Sequence, residues 1–126
     1  MLFIYDALST GVKTSDLDLQ EKCARQAASF FRDGYAQKKM ATYESHYNQR
    51  LDRCFMMVYD MSDVSGTVVL IKDLYDAFGG ADLGTFARST DKNGQSTRCF
   101  FTLPSGEEKA CSTEKEFKEL VKVYMQ

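Results

Sequence analysis

The chain has 126 residues, and 16 Lys and Arg against 18 Asp and Glu leave a formal net charge of −2. This length suits one domain that buries roughly two-thirds of the surface of its unfolded chain, so we predict a single domain over residues 1–126. A small net charge without a dense basic cluster argues against nucleic acid as a partner. No apolar run reaches the roughly 18 residues of a membrane span, so we expect no membrane-spanning segment.

The first part of the chain predicts an arm followed by a helix. Residues 1–13 have no clear periodicity, and we expect an extended arm or a short edge strand. Over 16–33, apolar residues recur at helical spacing and acidic residues occupy the first turns, where the helix dipole favours them. Gly34 follows where a left-handed C-terminal residue is common. Segment 35–48 has no firm period and predicts a loop that contains His46, the only histidine.

The segment Arg53–Tyr59 is the densest apolar run and predicts a central strand. Because side chains alternate along a strand, odd-numbered and even-numbered residues occupy opposite faces. The two faces are Phe55, Met57 and Tyr59, and Cys54, Met56 and Val58. A strand that is apolar on both faces needs cover on both, so we expect it inside a sheet that packs against helices or a second layer.

Further strands and turns follow this segment. In chain order they are a turn at 62–66, a strand at 67–71, a hairpin of 74–78 and 83–89 about Gly79-Gly80, and a turn at Asp91–Gly94. The strands are predicted from β-branched runs. The last turn is predicted from Asn-Gly, which readily adopts the positive φ angles of a tight hairpin.

The next hairpin can be given a register. Segments Cys99–Leu103 and Glu107–Cys111 flank three residues that include Pro104 and Gly106. A three-residue loop would place the two cysteines directly opposite one another, with Cβ atoms about 4.5 to 5.5 Å apart. A two- or four-residue loop would put them on opposite faces instead.

The C-terminal segment predicts a second helix. Thr113 and Glu116 match a capping box, in which the hydroxyl caps the first turn and the carboxylate reaches back. One apolar face follows, made of Phe117, Leu120, Val121 and Tyr124. Together these elements predict an α+β fold, an antiparallel meander of four or five strands packed by an N-terminal and a C-terminal helix.

The four cysteines allow three disulfide pairings. They are Cys23, Cys54, Cys99 and Cys111. If Cys99 pairs with Cys111, the second bridge joins Cys23 to Cys54 and fixes the first helix to the central strand; four free thiols in the core are the alternative. No C-x-x-C is present, so we expect no metal. Disulfides favour an exported protein, periplasmic or extracellular, although Leu2–Tyr5 is too short for a signal peptide.

Scattered positions between 23 and 125 resemble one protein family. They are Cys23-Ala24, Gln26-Ala27, Phe30-Phe31, His46-Tyr47-Asn48 with Leu51, Cys54-Phe55, Cys111-Ser112, Glu116-Phe117 and Tyr124-Met125. In these the chain resembles an uncharacterised family of small bacterial proteins that are usually made with an export signal. The resemblance implies an exported α+β domain and implies no activity.

His46 is the candidate catalytic residue, because histidine transfers protons near neutral pH. Tyr43 and Glu44 lie close to it in sequence. A Cys-His nucleophile needs a thiolate, which bridged cysteines cannot supply, and the chain has no G-x-S-x-G. Without a glycine-rich phosphate loop either, we expect no cofactor.

An acidic segment is the candidate binding surface. Its members are Asp60, Asp63, Asp73 and Asp76, followed by Asp82, with Lys72 as the only basic residue among them. The spacing lacks the pattern of an EF-hand loop, so solvated turn carboxylates are one interpretation. The other is an acidic surface for a basic partner, whose binding would weaken with salt. Met56 and Met57 point to opposite faces and cannot share a copper ion.

Three hypotheses for function follow. The leading one is a non-enzymatic exported domain that binds a protein or a small ligand on a scaffold stabilised by two disulfides. The second is a small hydrolase or transferase that uses His46 with nearby carboxylates. The third is a structural component of the cell envelope, which predicts no deep pocket and no cluster of exposed aromatic side chains.

Overall fold

The computed structural model describes residues 8–89 and 97–126, with the backbone alone for 8–15 and for Val64. The elements are helix α1 (Leu8–Tyr35), strands β1 (Thr42–Asn48), β2 (Arg53–Val64), β3 (Thr67–Asp76), β4 (Asp82–Ser89), β5 (Thr97–Thr102) and β6 (Glu108–Ala110), and helix α2 (Glu114–Met125). The strands form one antiparallel sheet in the order of the chain. The predicted α+β meander with a helix at each end is confirmed, but the described sheet has six strands instead of four or five.

Helix α1 is longer than predicted at both ends. Residues 8–13, predicted as part of an arm, belong to the helix, and residues 1–7 of that arm lie outside the described residues. At the other end the helix continues through Gly34, so this glycine is not the left-handed cap that was expected. The last turn is held by Tyr35, whose hydroxyl lies 2.7 Å from the hydroxyl of Tyr75 on β3.

Strand β1 corrects the predicted loop at 35–48. It pairs with β2 in a register that sets Tyr43 opposite Val58 and Tyr47 opposite Cys54. The strand has the two-residue alternation of faces that all strands have. Its sequence did not predict a strand because tyrosines and polar residues stand where aliphatic residues usually mark the buried face. A second correction concerns β3, because the predicted strands at 67–71 and 74–78 are one continuous strand.

Strand β2 has apolar cover on both faces, as predicted. Its even-numbered residues join a buried cluster beneath α1, made of Cys23, Ala27, Tyr47, Cys54, Met56, Val58 and Ala77. Its odd-numbered residues join a second cluster beneath α2, made of Phe55, Met57, Leu74, Phe86, Cys99, Phe101, Phe117 and Tyr124. The sheet therefore lies between two helices, one on each side.

The turn predicted at 62–66 is shorter than expected, because β2 continues through Val64 and only Ser65 and Gly66 form the turn. Ser65 and Gly66 both have positive φ, 54° and 85°, which is the geometry of a two-residue hairpin turn. Gly80 has φ 79° in the turn between β3 and β4. The turn predicted at Asp91–Gly94 lies outside the described residues.

Both disulfides predicted from the sequence are present. Strands β5 and β6 pair Phe100 with Ala110, the register that a three-residue loop requires, and the Cα atoms of Cys99 and Cys111 are 5.0 Å apart in the bridge. The Cα atoms of the bridged Cys23 and Cys54 are 5.3 Å apart. All four cysteines lie within the described residues and none of them is free, so the alternative of four thiols is wrong.

Helix α2 begins with the predicted capping box and ends on a buried amide. The Thr113 hydroxyl accepts from the Glu116 N–H at 3.1 Å, and the Glu116 carboxylate accepts from the Ser112 N–H at 3.0 Å. At the other end, buried Asn48 donates to the Tyr124 carbonyl at 2.9 Å. Of the helices described, neither is long and apolar enough to cross a membrane.

Candidate functional site

Helix α1 covers only part of its side of the sheet. It packs against β1 and β2, where the disulfide from Cys23 to Cys54 fixes it. Toward β3 its side chains reach Tyr75, whose ring centroid is 5.0 Å from that of Phe30. Because the disulfide holds the helix near one edge of the sheet, the opposite half of this side has no described helix over it.

The register identifies the side chains on this uncovered half. Val58 belongs to the cluster beneath α1, and it lies opposite Asp73 on β3. Asp73 in turn lies opposite Thr85, and Thr85 opposite Phe100. Directly opposed residues point to the same side of a sheet. The open face, as we call it, consists of Val69, Ile71, Asp73, Thr85, Ala87, Ser89, Arg98 and Phe100.

Two cross-strand rows form the centre of the open face. The Arg98 row contains Ile71, Ala87 and Arg98, and the Phe100 row contains Asp73, Thr85 and Phe100. Phe100 is 50% exposed, although the neighbouring Phe101 is buried against α2. Half of the Phe100 side chain is therefore an apolar surface open to solvent in the middle of strand β5.

The carboxylates beside Phe100 lie in a partly desolvated environment. Burial raises the pKa of Asp73, and the hydrogen bond of 2.6 Å from the Thr85 hydroxyl partly offsets this rise. Burial also raises the pKa of Asp82, and the Gly84 N–H, 3.1 Å away, opposes that rise. In the part of the chain that the structure describes, neither carboxylate has a cationic partner within ion-pair distance.

Tyrosine hydroxyls border the open face on the α1 side. The hydroxyls of Tyr35 and Tyr75 share a hydrogen bond, and burial is the main cause that raises the pKa of each. Both hydroxyls are therefore neutral near pH 7. The border offers neutral donors and acceptors next to the carboxylate of Asp73.

The open face carries two shallow clefts. One of about 320 Å³ is lined by Asp82, Phe100 and Glu108 among others, and one of about 220 Å³ is lined by residues that include Ala87 and Arg98. The first has acidic walls and the second a basic one. The face therefore carries acidic side chains toward one end of its strands and a basic side chain toward the other.

His46 lies elsewhere, on the α2 side of β1. It lines a polar cleft of about 280 Å³ with Gln20, Arg50 and Gln126. The two neighbours in sequence do not join it, since Glu44 accepts from the Tyr59 hydroxyl at 3.1 Å and Tyr43 packs on Phe31. Within the described residues, no hydrogen bond or ion pair connects the imidazole of His46 to another side chain.

The four aspartates of the candidate acidic surface are not brought together. Asp60 forms an ion pair with Lys38, with 3.6 Å between Oδ2 and Nζ. The Asp63 carboxylate accepts a hydrogen bond from the Gly66 N–H in the exposed turn after β2. Asp76 is buried and bound to Arg53, so of the four only Asp73 contributes to the open face. Alternation along the strands places Asp60 and Asp73 on one side of the sheet and the other two on the opposite side.

Sequence reasoning missed Thr85, Arg98 and Phe100 as site residues. Phe100 stands between Cys99 and Phe101, in a segment predicted only as one strand of a hairpin, and an apolar run of this kind does not show which of its faces is exposed. The number of predicted helices compared with the number of predicted strands could have indicated an exposed sheet face, because two helices cannot cover both sides of a wide sheet.

The described side chains form no metal-binding group. Among them, no three of His, Cys, Asp or Glu lie close enough together to hold a metal ion. No protein family model, curated protein or solved structure matches the chain. The resemblance to small exported bacterial proteins therefore stays a prediction.

Proposed function

We propose that the chain is a non-enzymatic binding domain whose open face binds a segment of another protein. The observation that carries this proposal is the half-exposed Phe100, which stands on a sheet face that no described helix covers, in the same cross-strand row as the partly desolvated Asp73. A sheet face normally packs against another layer. A binding partner would supply that layer here.

The shape of the open face supports a protein segment over a small molecule. Sites for small molecules are usually concave and enclose most of the ligand, whereas the clefts here lie along a sheet surface. Interfaces between proteins combine a central aromatic anchor with a polar rim. Phe100 has the position of such an anchor, and Asp82 and Arg98 have the positions of a rim.

Export of this domain is part of the proposal. Two disulfides support it, since such bonds persist in oxidising compartments and are rare in the cytosol. The compartment is then periplasmic or extracellular, as the resemblance also implies. Alkylation of native protein without reductant, followed by intact mass, should show no modified cysteine when the protein is isolated from its source. Four modified cysteines would contradict export.

Catalysis at His46 receives less support. A hydrolase or transferase would need a carboxylate or a nucleophile beside the imidazole, and the partly desolvated Asp73 lies on the other side of the sheet. Glu44, which lies close to His46 in sequence, accepts a hydrogen bond from the Tyr59 hydroxyl. We therefore favour binding over catalysis.

A peptide display library tests the proposal and requires no named partner. Peptides are selected on the immobilised disulfide-bonded protein, and their affinities are then measured for two variants. Phe100→Ser removes the proposed anchor, and Leu17→Ser removes a side chain that is 60% exposed on α1 as a matched control. Complete burial of a phenylalanine contributes about 1.5 to 3 kcal/mol, and Phe100 is 50% exposed before binding, so Phe100→Ser should weaken binding roughly three- to tenfold.

The outcome depends on which variant loses affinity. Enriched peptides that lose affinity for Phe100→Ser and keep it for Leu17→Ser support the open face. Enriched peptides that bind both variants as tightly as the unaltered protein would contradict it. Circular dichroism of each variant checks that the fold is intact.

A further inference from the structure

Strand β1 is one edge of the sheet, and on its outer side the described residues supply no further strand. It has seven residues without a proline, a lysine or a bulge, three features that often protect an edge strand from pairing. Among residues 8–89 and 97–126, the main chain of β1 forms hydrogen bonds only in its pairing with β2. The outer side of β1 can therefore accept another strand.

The hydrogen bonds of the neighbouring strands show which β1 groups point outward. The Cys54 carbonyl on β2 accepts from the Ala77 N–H at the end of β3, at 2.9 Å. Because these directions alternate along a strand, even-numbered residues of β2 bond toward β3 and odd-numbered ones toward β1. The β1 residues opposite the odd-numbered ones are Thr42, Glu44, His46 and Asn48. The main-chain groups of Tyr43, Ser45 and Tyr47 consequently point away from the sheet.

We propose that two copies of this chain pair antiparallel through β1, about a two-fold axis at Ser45. Ser45 then lies opposite Ser45 of the second copy, and Tyr43 lies opposite Tyr47 on both sides of the axis. These outward-pointing pairs exchange about six N–H···O=C hydrogen bonds. The pairing makes one sheet continuous across the two copies.

The side chains of Glu44 and His46 select this register. Each Glu44 lies directly opposite His46 of the other copy, in a pair without main-chain hydrogen bonds, where side chains come closest and Cβ atoms are about 4.5 to 5.5 Å apart. One Glu44 oxygen accepts from Tyr59, which leaves the other for the imidazole N–H. In the part of the chain that the structure describes, neither side chain forms an ion pair. An axis at residue 44 or 46 would set two glutamates or two histidines against each other.

Helix α1 leaves room for the second copy. Phe31 packs on Tyr43 of β1 and Phe30 on Tyr75 of β3, with ring centroids 4.5 and 5.0 Å apart, so the helix lies over β2 between them. The two copies of α1 would then be three strand spacings apart, about 14 Å. Packed helices are about 8 to 10 Å apart, so the two helices do not collide.

A cleft at the edge of the sheet accepts the end of the second strand. Tyr47 and Asn48 line this cleft of about 280 Å³ together with Gln20 from α1 and Gln126 at the end of α2. Because the two helices lie on opposite sides of the sheet, a cleft that both of them line opens at the edge. It gives space to Thr42 of the second copy, which lies opposite Asn48 in the proposed register.

The pairing goes beyond the function proposed above and does not use the open face. The two-fold axis is perpendicular to the continuous sheet, so both open faces lie on the same side of it. Each dimer would therefore present two binding surfaces to a partner. A partner with two suitable segments would bind such a dimer more tightly than it binds one copy.

Sedimentation equilibrium of the intact disulfide-bonded protein at about pH 6, where much of the imidazole is protonated, tests the register. His46→Glu sets a glutamate against Glu44 at both contacts, and Glu44→Lys sets a lysine against His46, so each variant alone should associate about tenfold more weakly. An equimolar mixture sets the introduced lysine against the introduced glutamate at one contact and keeps the original pair at the other. The mixture should associate about tenfold more strongly than either variant alone.

A main-chain variant tests the strand pairing without a change of charge. Ser45→Pro removes an outward N–H at the axis and leaves the bonds between β1 and β2, and proline is tolerated on an edge strand for this reason. It should abolish association. Ser45→Ala keeps the N–H and is the matched control, which should associate like the unaltered protein. Circular dichroism of each variant checks the fold.

Amide hydrogen exchange reports the register in the unaltered protein. As protein concentration rises, the amides of Tyr43, Ser45 and Tyr47 should exchange more slowly, whereas those of Glu44 and His46 are already bonded to β2 and should change less. Slower exchange at these three amides that appears only after a display peptide is added would assign the edge to a segment of another protein and overturn the self-pairing.

Three further results would overturn the pairing. They are a monomer at all concentrations up to about 1 mM, association of Ser45→Pro as strong as that of Ser45→Ala, and a charge-reversed mixture no stronger than its components. Because these variants leave the open face unchanged, absence of the dimer leaves the result for Phe100→Ser standing. Absence of peptide binding at the open face likewise leaves the dimer standing.

Discussion

Asp76 holds the end of the β3–β4 hairpin with both of its carboxylate oxygens. One oxygen is 2.6 Å from the Arg53 guanidinium, and the other accepts from the N–H groups of Phe78 and Gly79 at 2.9 and 3.0 Å. The residue is only 3% exposed. This single side chain therefore accepts hydrogen bonds from the N–H groups of the turn and forms an ion pair with Arg53 at the same time.

Replacement of this carboxylate should destabilise the protein. Asp76→Ala removes charged hydrogen bonds and leaves turn donors unpaired, so the free energy of unfolding should fall by about 2 to 3 kcal/mol. Arg53 remains 59% exposed on its side chain and can be solvated, which limits the loss. Urea denaturation measures the change. Asp63→Ala, which removes one bond in an exposed turn, is the control, and an equal loss in both variants would contradict the account.

Asp73 should make stability depend on pH. Folding raises the pKa of this carboxyl through burial, so the folded state binds its proton more tightly than the unfolded state. Its contribution to stability is present below the ordinary pKa and is lost as the pH rises through the raised value. Asp73→Asn keeps an oxygen that accepts the hydrogen bond from the Thr85 hydroxyl. Because its amide does not titrate, the variant should not lose stability as the pH rises.

The prediction is a gain for Asp73→Asn that grows with pH. In urea denaturation from about pH 3 to about pH 7, its unfolding free energy relative to the unaltered protein should increase toward neutral pH. Comparison with Asp63→Asn separates this effect from general loss of charge. A difference that stays constant over the range would show that burial does not perturb Asp73.

At the scale of elements, strand β4 passes very close to the core side of β5. A Cβ atom at Gly84 would lie 2.6 Å from Cδ1 of Phe101 and 3.3 Å from the Phe100 carbonyl. Gly84→Ala should therefore lower the free energy of unfolding by about 1 to 3 kcal/mol, as overpacking does. Gly34→Ala in α1 meets no atom within 4 Å and should stabilise by about 0.5 to 1 kcal/mol. Thermal denaturation of both variants tests the pair, and the same sign for both would contradict the packing.

The two disulfides should differ in their contributions. They close segments with sequence separations of 31 and 12 residues. In the chain-entropy description, the longer one contributes about 4 kcal/mol and the shorter about 3 kcal/mol. Replacement of Cys23 and Cys54 by alanine should therefore reduce stability more than replacement of Cys99 and Cys111. Guanidinium denaturation measures both, and the reverse order would contradict the prediction.

Elements with strong local signals were predictable from the sequence. The capping box at Thr113 and the loop that sets Cys99 opposite Cys111 involve residues close in the chain, so their geometry follows from local chemistry. Strand β1 lacked such a signal because it is an edge strand whose inward residues are tyrosines. Its assignment depends on pairing with β2, which single-segment patterns do not contain.

At the scale of the whole molecule, the open face results from the position of one helix. The disulfide between Cys23 and Cys54 fixes α1 over β1 and β2, and only residues as far as Tyr75 receive its cover. The sequence predicted this bridge, but it did not predict that the sheet would extend well beyond it. The width of the sheet and the area that the helix covers are properties of the assembled molecule, so the local pattern around Phe100 does not identify it as exposed.

The central claim is that the open face, which no described helix covers, binds a partner. Amide chemical shifts of the isotope-labelled protein, followed during titration with an enriched display peptide, test it most directly. We predict that the largest changes occur at Thr85, Ala87 and Phe100, on strands β4 and β5. Largest changes around His46 and Arg50, in the polar cleft on the other side of the sheet, would contradict the account.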